Sequence, residues 1–117
     1  TITKGQAVAI DFATSTNGLG NHVIPCLLGT ENSSVAMGIA TEAASAGDLV
    51  SVQIQGINTT ASLDDTNDAV GQPLACGAGS GELTLNVAAS VPVAILVVEG
   101  STGVHNSTVY LLNPLNL

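Results

Sequence analysis

The chain has 117 residues, of which 45% are hydrophobic but only 2% aromatic, and its formal net charge is -8 at pH 7. Lys4 is the only Lys or Arg, so we exclude binding to nucleic-acid phosphates or to anionic membrane surfaces. The length predicts one compact domain, with a core built from Val, Leu, Ile and Ala. Such side chains bury little area each, so we expect an isolated monomer to be modestly stable and to gain from association.

Clusters of Gly, Asn, Ser and Thr interrupt the chain at short intervals, which predicts an all-β fold. We expect short strands at residues 7–13, 22–28, 35–41, 49–55, 73–76, 82–87, 93–99 and 108–112. They would form a small β-barrel or a β-clip-like sandwich. Residues 1–16 would supply an N-terminal arm and the first strand. Residues 17–117 would form a single β domain with an irregular excursion over the surface at residues 58–72.

The best-patterned stretch is VAMGIATEAASAGDLVSVQIQGI, residues 35–57. Val50, Val52 and Ile54 alternate with polar residues, which predicts a half-buried strand that seals one face of a sheet. Gly47 lies in the small polar segment before this strand and favours a tight turn. The Ala-rich residues 41–46 are too few for a stable helix. We therefore predict a β-hairpin across the whole stretch.

The run VPVAIL and the two valines after it make residues 91–98 the most apolar part of the chain. The continuously apolar residues 93–98 are typical of a strand that is buried on both faces. Two positions remain open for it, the centre of a sheet or the interface between subunits.

Acidic and imidazole side chains form no recognisable site. Asp64, Asp65 and Asp68 lack the spacing, the Gly and the closing Glu of a calcium-binding EF-hand loop, so they favour a solvated acidic loop. His22 and His105 are isolated, without an HxH or HExxH motif, and we expect them in exposed loops. With a single Lys and no Arg, the sequence predicts no enzyme, no cofactor and no metal.

Cys26 and Cys76 have neither CxxC nor zinc-ligand spacing. We expect two half-buried free thiols, with a disulfide between them as the open alternative. The amino end TITKGQAVAIDFATS lacks a charged segment followed by an apolar one, so no signal peptide is predicted. These features favour a protein made in the cytoplasm.

The segment GIATEAASAGDLVSVQIQGI, residues 38–57, resembles a repeated phrase of phage head decoration proteins, also called capsid cement proteins. In that family a Gly and several small residues precede a Gly-containing turn and an alternating strand that ends at Gly. VGQPL, residues 70–74, is similar to the phrase that often follows, and TVYLL, residues 108–112, is similar to the closing strand. The resemblance covers residues 35–112, whereas residues 1–16 depart from the Gly- and Gln-rich leader of the family.

This resemblance implies a compact β-barrel or β-clip-like domain that forms a homotrimer. Such trimers lie at three-fold and quasi-three-fold positions on the outer surface of an icosahedral phage head. They bind the major capsid protein after the shell expands and stabilise it against internal DNA pressure. The expected protein is therefore a structural virion protein, made in the host cytoplasm, without nucleic-acid or membrane contact.

We expect the two ends of the chain to make these contacts. An N-terminal arm can add a strand to the edge of a capsid sheet, with Ile2 and Lys4 as its anchors. The candidate capsid-contact residues are Thr1, Ile2, Thr3, Lys4 and Gln6. The candidate trimer-interface residues are Tyr110, Leu111, Leu112 and Leu115. If the arm is free, removal of residues 1–6 abolishes capsid binding without changing the circular dichroism spectrum.

Two other functions are compatible with a small β domain. The first is a binding module that recognises carbohydrate or a host surface. Such sites usually present aromatic platforms, and the aromatic residues here are Phe12 and Tyr110 alone. The second is a small β-clip enzyme, against which the absence of Arg and of clustered His or Cys argues.

Overall fold

The computed structural model describes residues 1–10, 22–27, 36–64, 70–77, 79–85, 93–98 and 105–112. These residues form an all-β structure with nine strands in two sheets, which confirms the predicted fold class. The strands are β1 Ala7–Ile10, β2 Val23–Pro25, β3 Gly38–Ala40, β4 Val52–Gln53, β5 Gly56–Leu63, β6 Pro73–Cys76, β7 Leu83–Leu85, β8 Ala94–Val98 and β9 His105–Leu111. The predicted boundary at residues 16–17 lies outside the described part of the chain, as do the predicted strand ends at residues 11–13, 28, 35, 86–87 and 99.

The first sheet has the strand order β2-β1-β3-β4, and every neighbouring pair is antiparallel. The predicted hairpin is present as β3 and β4, with Ile39 opposite Gln53. Its turn contains Gly47 at a φ of 90°, a backbone conformation that Gly adopts readily. The strands are shorter than predicted. Ile54, expected to seal the sheet, is instead 45% exposed because β4 ends one residue earlier, at Gln53.

The second sheet is a closed barrel with the strand order β5-β7-β6-β8-β9. Its pairs are antiparallel except β5 with β7, which are parallel and meet where Leu63 lies opposite Leu83. The pairing of β5 with β9 closes the barrel and covers the edge that each strand would otherwise expose.

The predicted excursion at residues 58–72 is wrong for residues 58–63, because β5 occupies Gly56–Leu63 and is the longest of the described strands. The polar run at its centre is stabilised by side-chain hydrogen bonds to Asn58, which is only 6% exposed. The Nδ2 group of Asn58 donates to Gln53 Oε1 at 3.1 Å, and its Oδ1 accepts from the Thr60 N–H at 2.9 Å. A β-bulge between Asn58 and Ala61 accommodates this arrangement.

The apolar run at residues 93–98 is only partly buried. Val93, Ala94 and Leu96 are in the core, but Val97 is 36% exposed and Val98 is 56% exposed. The reason is a β-bulge between Leu96 and Val98, which disrupts the alternation of the strand and turns both valines outward. Burial at the centre of a sheet, the first of the two predicted positions, is therefore wrong for the second half of the run, whereas burial at a subunit interface stays a prediction.

The larger of the two described hydrophobic clusters lies between the sheet and the barrel. It contains Ala7, Ala9, Cys26, Ala36 and Ile39 from the sheet side, and Ala61, Leu63, Leu74, Cys76, Leu83, Val93, Ala94, Leu96, Val109 and Leu111 from the barrel. A smaller cluster covers the other face of the sheet and contains Ile2, Val8 and Ala40. Strand β1 is thus buried on both faces, with alanines on the side that the barrel approaches. Small side chains there allow close packing of the two sheets.

Main-chain hydrogen bonds also join the sheet to the barrel. Gly81, between β6 and β7, accepts at its carbonyl oxygen from the Ala7 N–H and donates its own N–H to Cys26 O, both at 2.8 Å. On the other side of the junction, the Ser62 N–H of β5 donates to Gly5 O at 2.8 Å. The two sheets therefore behave as one folding unit.

Substitution of two glycines tests this junction. Gly81 has a φ of 73°, and an added Cβ would lie 2.7 Å from Gln6 Cβ, whereas Gly47 has a φ of 90° with open space around it. We expect Gly47→Ala to cost about 1 kcal/mol from backbone strain alone. Gly81→Ala adds a steric clash at the junction and should cost roughly 3 kcal/mol. Urea unfolding measures both, and equal losses would contradict the assigned role of the junction.

Candidate functional site

The N-terminal segment, residues 1–6, is part of the folded domain. Ile2 is 7% exposed and exchanges two backbone hydrogen bonds of 2.9 Å with Ala44. The Gly5 N–H donates to Ala40 O at 2.9 Å, which continues the pairing toward β3. The prediction of a free arm that adds a strand to a capsid sheet is therefore wrong, because these backbone groups already pair within the chain.

The remaining predicted capsid-contact residues differ in exposure. Gln6 is half-buried; its Oε1 accepts from the Thr3 N–H at 2.9 Å, and its Nε2 donates to Ser80 O at 3.3 Å. The side chains of Thr1, Thr3 and Lys4 are exposed. Of the five candidates, these three remain accessible to a partner, while Ile2 and Gln6 have structural contacts within the domain.

A groove of 610 Å³ lies between the N-terminal segment, β2 and the turn that joins β3 to β4. Ile2, Val23 and Val52 line it and also belong to or pack on the smaller hydrophobic cluster. Leu49 lies at this groove and is 97% exposed. Its described lining is mainly apolar and includes His22 and Asp48 as titratable side chains, so it offers chiefly an apolar contact surface.

An apolar row crosses the outer face of the barrel. Ile57 on β5 lies opposite Tyr110 on β9, Tyr110 lies opposite Ile95 on β8, and Ile95 lies opposite Pro73 on β6. Directly opposite residues point to the same face of a sheet. Ile57 is 53% exposed and Tyr110 is 43% exposed, which places this face in solvent.

The two valines turned outward by the bulge in β8 extend this row along the strand. We call the whole surface the apolar band, and it consists of Ile57, Pro73, Ile95, Val97, Val98 and Tyr110. Strands β5, β6, β8 and β9 contain no Asp, Glu, Lys or Arg, although the chain carries a net charge of -8. The band is thus an uncharged surface on an acidic protein.

The predicted trimer-interface residues fall in different environments. Tyr110 is exposed at the centre of the apolar band, so its side chain is accessible to a partner. Leu111 is fully buried in the barrel, and its assignment to an interface is corrected to the core. Leu112 is half-buried and donates its N–H to Val93 O at 2.8 Å, while Leu115 lies outside the described residues.

Side chains that could ligate a metal do not cluster in the part of the chain that the structure describes. No group of three or more His, Cys, Asp or Glu residues there is arranged to hold a metal ion. Asp64 is half-buried, whereas Asp65 and Asp68 lie outside the described residues. His105 begins β9 instead of lying in a loop as predicted. Cys26 and Cys76 are not joined by a disulfide, as predicted, but both are fully buried instead of half-buried.

No protein-family model matches the chain, and no curated protein or solved structure is significantly similar to it. None of the described segments forms a helix that is long and apolar enough to cross a membrane. The candidate site therefore rests on its geometry, which presents two exposed apolar surfaces, the groove at Leu49 and the apolar band.

Substitution of Ile2 tests the integration of the N-terminal segment. Ile2→Ala removes a buried side chain from the smaller cluster and should cost roughly 2–5 kcal/mol of the free energy of unfolding. Thr3→Ala is the matched control, because that side chain is exposed and its change should stay within about 0.5 kcal/mol. Chemical unfolding of both variants measures the difference. An Ile2→Ala variant as stable as the parent would show that the segment is only loosely attached.

Proposed function

We propose that the chain is a capsid decoration protein, a structural virion component that forms a homotrimer on the outer surface of an icosahedral phage head. The observation that carries this proposal is the apolar band, an exposed and uncharged surface across four strands of the barrel. Contiguous apolar surface of this kind marks sites of protein–protein contact.

Association is physically favourable because burial of the band carries only a small desolvation penalty. Its side chains carry no charge, so contact with another protein removes apolar area from water without desolvating an ion. Tyr110 at its centre offers a large ring with a polar hydroxyl, a combination enriched at protein interfaces. The chain carries nine carboxylates and one Lys, so identical copies repel each other through most of their surface. A face without charge reduces this repulsion and allows two copies to come into contact.

The resemblance of residues 38–57 to decoration proteins supports the identity of the larger partner, the major capsid protein. That segment includes the β3–β4 hairpin, whose side chains complete the smaller hydrophobic cluster. In this proposal the hairpin therefore stabilises the fold and does not contact the capsid directly. In this proposal the protein is made in the host cytoplasm, does no catalysis and needs no cofactor, and its acidic character keeps it away from the packaged DNA.

We assign the apolar band to contacts between subunits and the exposed Thr1, Thr3 and Lys4 to the capsid. Lys4 is the only Lys or Arg of the chain, so it is the natural partner for a carboxylate on the shell. Shell stabilisation then follows from simple mechanics. A trimer that holds several capsid subunits at once resists their separation under internal pressure, because each must break its contact with the trimer first.

Carbohydrate binding is less well supported by the geometry. Such a site pairs an aromatic ring with polar side chains that bond to hydroxyl groups. The cross-strand neighbours of Tyr110 are Ile57 and Ile95, which provide no such groups. The surroundings of the ring therefore favour protein over sugar, and a glycan array on the purified chain separates the two.

Charged substitutions on the band test the proposal. Ile57→Glu and Tyr110→Glu each place a carboxylate on a surface that the proposal buries, at a cost of roughly 3 kcal/mol per subunit. This corresponds to about a hundredfold weaker association. Light scattering after size exclusion should show trimers for the parent chain and monomers for both variants. Cosedimentation with expanded phage heads should fall in parallel.

Leu49→Glu is the matched control, because Leu49 is also an exposed apolar residue but lies at the groove and not on the band. This variant should remain trimeric. All three variants should keep the parent circular dichroism spectrum, since the substituted side chains are exposed. A parent chain that stays monomeric and never cosediments with heads would overturn the proposed function.

A further inference from the structure

The side-chain amide of Gln53 lies where the chain passes from the sheet to the barrel. Gln53 ends β4 and is half-buried, and β5 begins shortly afterwards at Gly56. Gly56 has a φ of 93°, a conformation that lets the backbone turn sharply. A Cβ built on Gly56 would lie 3.7 Å from Gln53 Nε2, so this turn brings the main chain of β5 back to the Gln53 side chain.

Both ends of the Gln53 amide are hydrogen-bonded to the segment that follows it. Its Nε2 group donates to Ile57 O at 2.8 Å and to Gln55 O at 3.0 Å. Its Oε1 accepts from Asn58 Nδ2 at 3.1 Å. Carbonyl oxygens accept hydrogen bonds and cannot donate them, so the two main-chain partners determine which end of the amide faces them.

The strand register shows in which direction the Ile57 carbonyl points. The Leu112 N–H donates to Val93 O, and bonded pairs alternate along antiparallel strands. The next bonded pair of β8 and β9 is therefore Ile95 with Tyr110, so the main-chain groups of Tyr110 face β8. Ile57 lies opposite Tyr110 on the other side of β9. Its own main-chain groups therefore point away from β9, toward the Gln53 amide.

Neighbouring strands do not reach this part of β5 in the described residues. Strand β7 pairs with β5 there only at Leu63, the last residue of β5. The Gln53 side chain thus gives the Ile57 carbonyl the donor that an adjacent strand would otherwise provide. Asn58 extends the network into the strand, because its Oδ1 accepts from the Thr60 N–H. One side chain at the end of the sheet therefore holds the first part of β5.

We propose that Gln53 is a positioning residue for the apolar band, which sets Ile57 beside Tyr110 in the geometry that a second copy of the chain contacts. Gln53 is not itself part of the band and acts through the main chain of Ile57. Because the Ile57 side chain is 53% exposed, its position depends largely on these main-chain bonds. The inference rests on the proposed function for the identity of the partner.

Gln53→Glu tests this role. The variant keeps the length of the side chain and an acceptor for Asn58 Nδ2, but it removes both N–H donors and turns an oxygen toward Ile57 O. We expect subunit association to weaken at least about tenfold, because the start of β5 is no longer held in place. Sedimentation equilibrium of the whole chain over a dilution series measures this. Gln53→Met removes the same donors without adding a charge and should also weaken association.

The near-ultraviolet circular dichroism of Tyr110 is a second readout. Tyr110 is the only Tyr, and the chain has no Trp, so this signal reports directly on the surroundings of that ring. Both Gln53 variants should alter it even in dilute, unassociated protein, because Ile57 is a cross-strand neighbour of Tyr110. A role in stability alone would leave the signal of the folded protein unchanged.

Gln55→Glu and Gln55→Met are the matched controls, because the Gln55 side chain is exposed and its main-chain oxygen is the atom that Gln53 contacts. Both should keep the association and the Tyr110 signal of the parent. Ile2→Ala, which removes a buried side chain far from the band in the smaller cluster, should keep them as well. Equal weakening by the two Glu variants would indicate a charge effect and overturn the role of Gln53. Equal weakening by Gln53→Met and Ile2→Ala would overturn it too.

The outcomes separate this inference from the proposed function. Association like that of the parent, or an unchanged Tyr110 signal, in the Gln53 variants would overturn the inference and leave the proposed function intact. A parent chain that never associates would overturn the proposed function, and the Tyr110 signal then decides alone whether Gln53 positions Ile57. If Gln53→Met does not fold, Gln53→Glu decides, since it retains the bond to Asn58.

Discussion

The structure depends on one apolar core that the sheet and the barrel share. Neither layer has enough large side chains to be stable by itself, since the chain has one Phe, one Tyr and no Trp. The small side chains of Ala7 and Ala9 on β1 allow the barrel leucines to pack directly against the sheet, so the two layers stabilise each other. The close approach also brings main-chain groups within hydrogen-bonding distance, as at Gly81. The close packing of the sheet against the barrel, and with it the stability of the fold, therefore depends on small side chains at the junction.

Closure of the barrel determines where a function can lie. Its described buried positions are mostly aliphatic, among them Leu74, Leu96 and Leu111, so the interior serves mainly packing. The polar or thiol side chains buried on the same strands are Asn58, Cys76 and Ser107. The alternate side chains of the same strands point outward. Among them, Ile57, Tyr110 and Ile95 lie in one row. The bulge in β8 adds two valines to that row. Packing and bulge geometry together thus generate the apolar band.

Local pattern was sufficient for the fold class, the β3–β4 hairpin and the bounds of β6, because alternation and Gly turns act over a few residues. It was insufficient for β5, because a polar segment that contains Asn58 is typical of a loop. Asn58 fits into the strand only because its side chain bonds to Gln53, and local sequence does not reveal that contact. Adjacent Tyr110 and Leu111 show a second limit, since only pairing across the barrel decides which of the two faces inward. The burial of Ile2 depends on its distant partner Ala44, which no local signal indicates.

The central claim is that the apolar band is buried by neighbouring subunits on a phage head. Electron cryomicroscopy of expanded heads carrying the bound protein tests it most directly. The account predicts density for three copies around each three-fold and quasi-three-fold position, with Tyr110 enclosed between adjacent barrels. Density in which the band faces solvent while another surface makes the subunit contacts would contradict it.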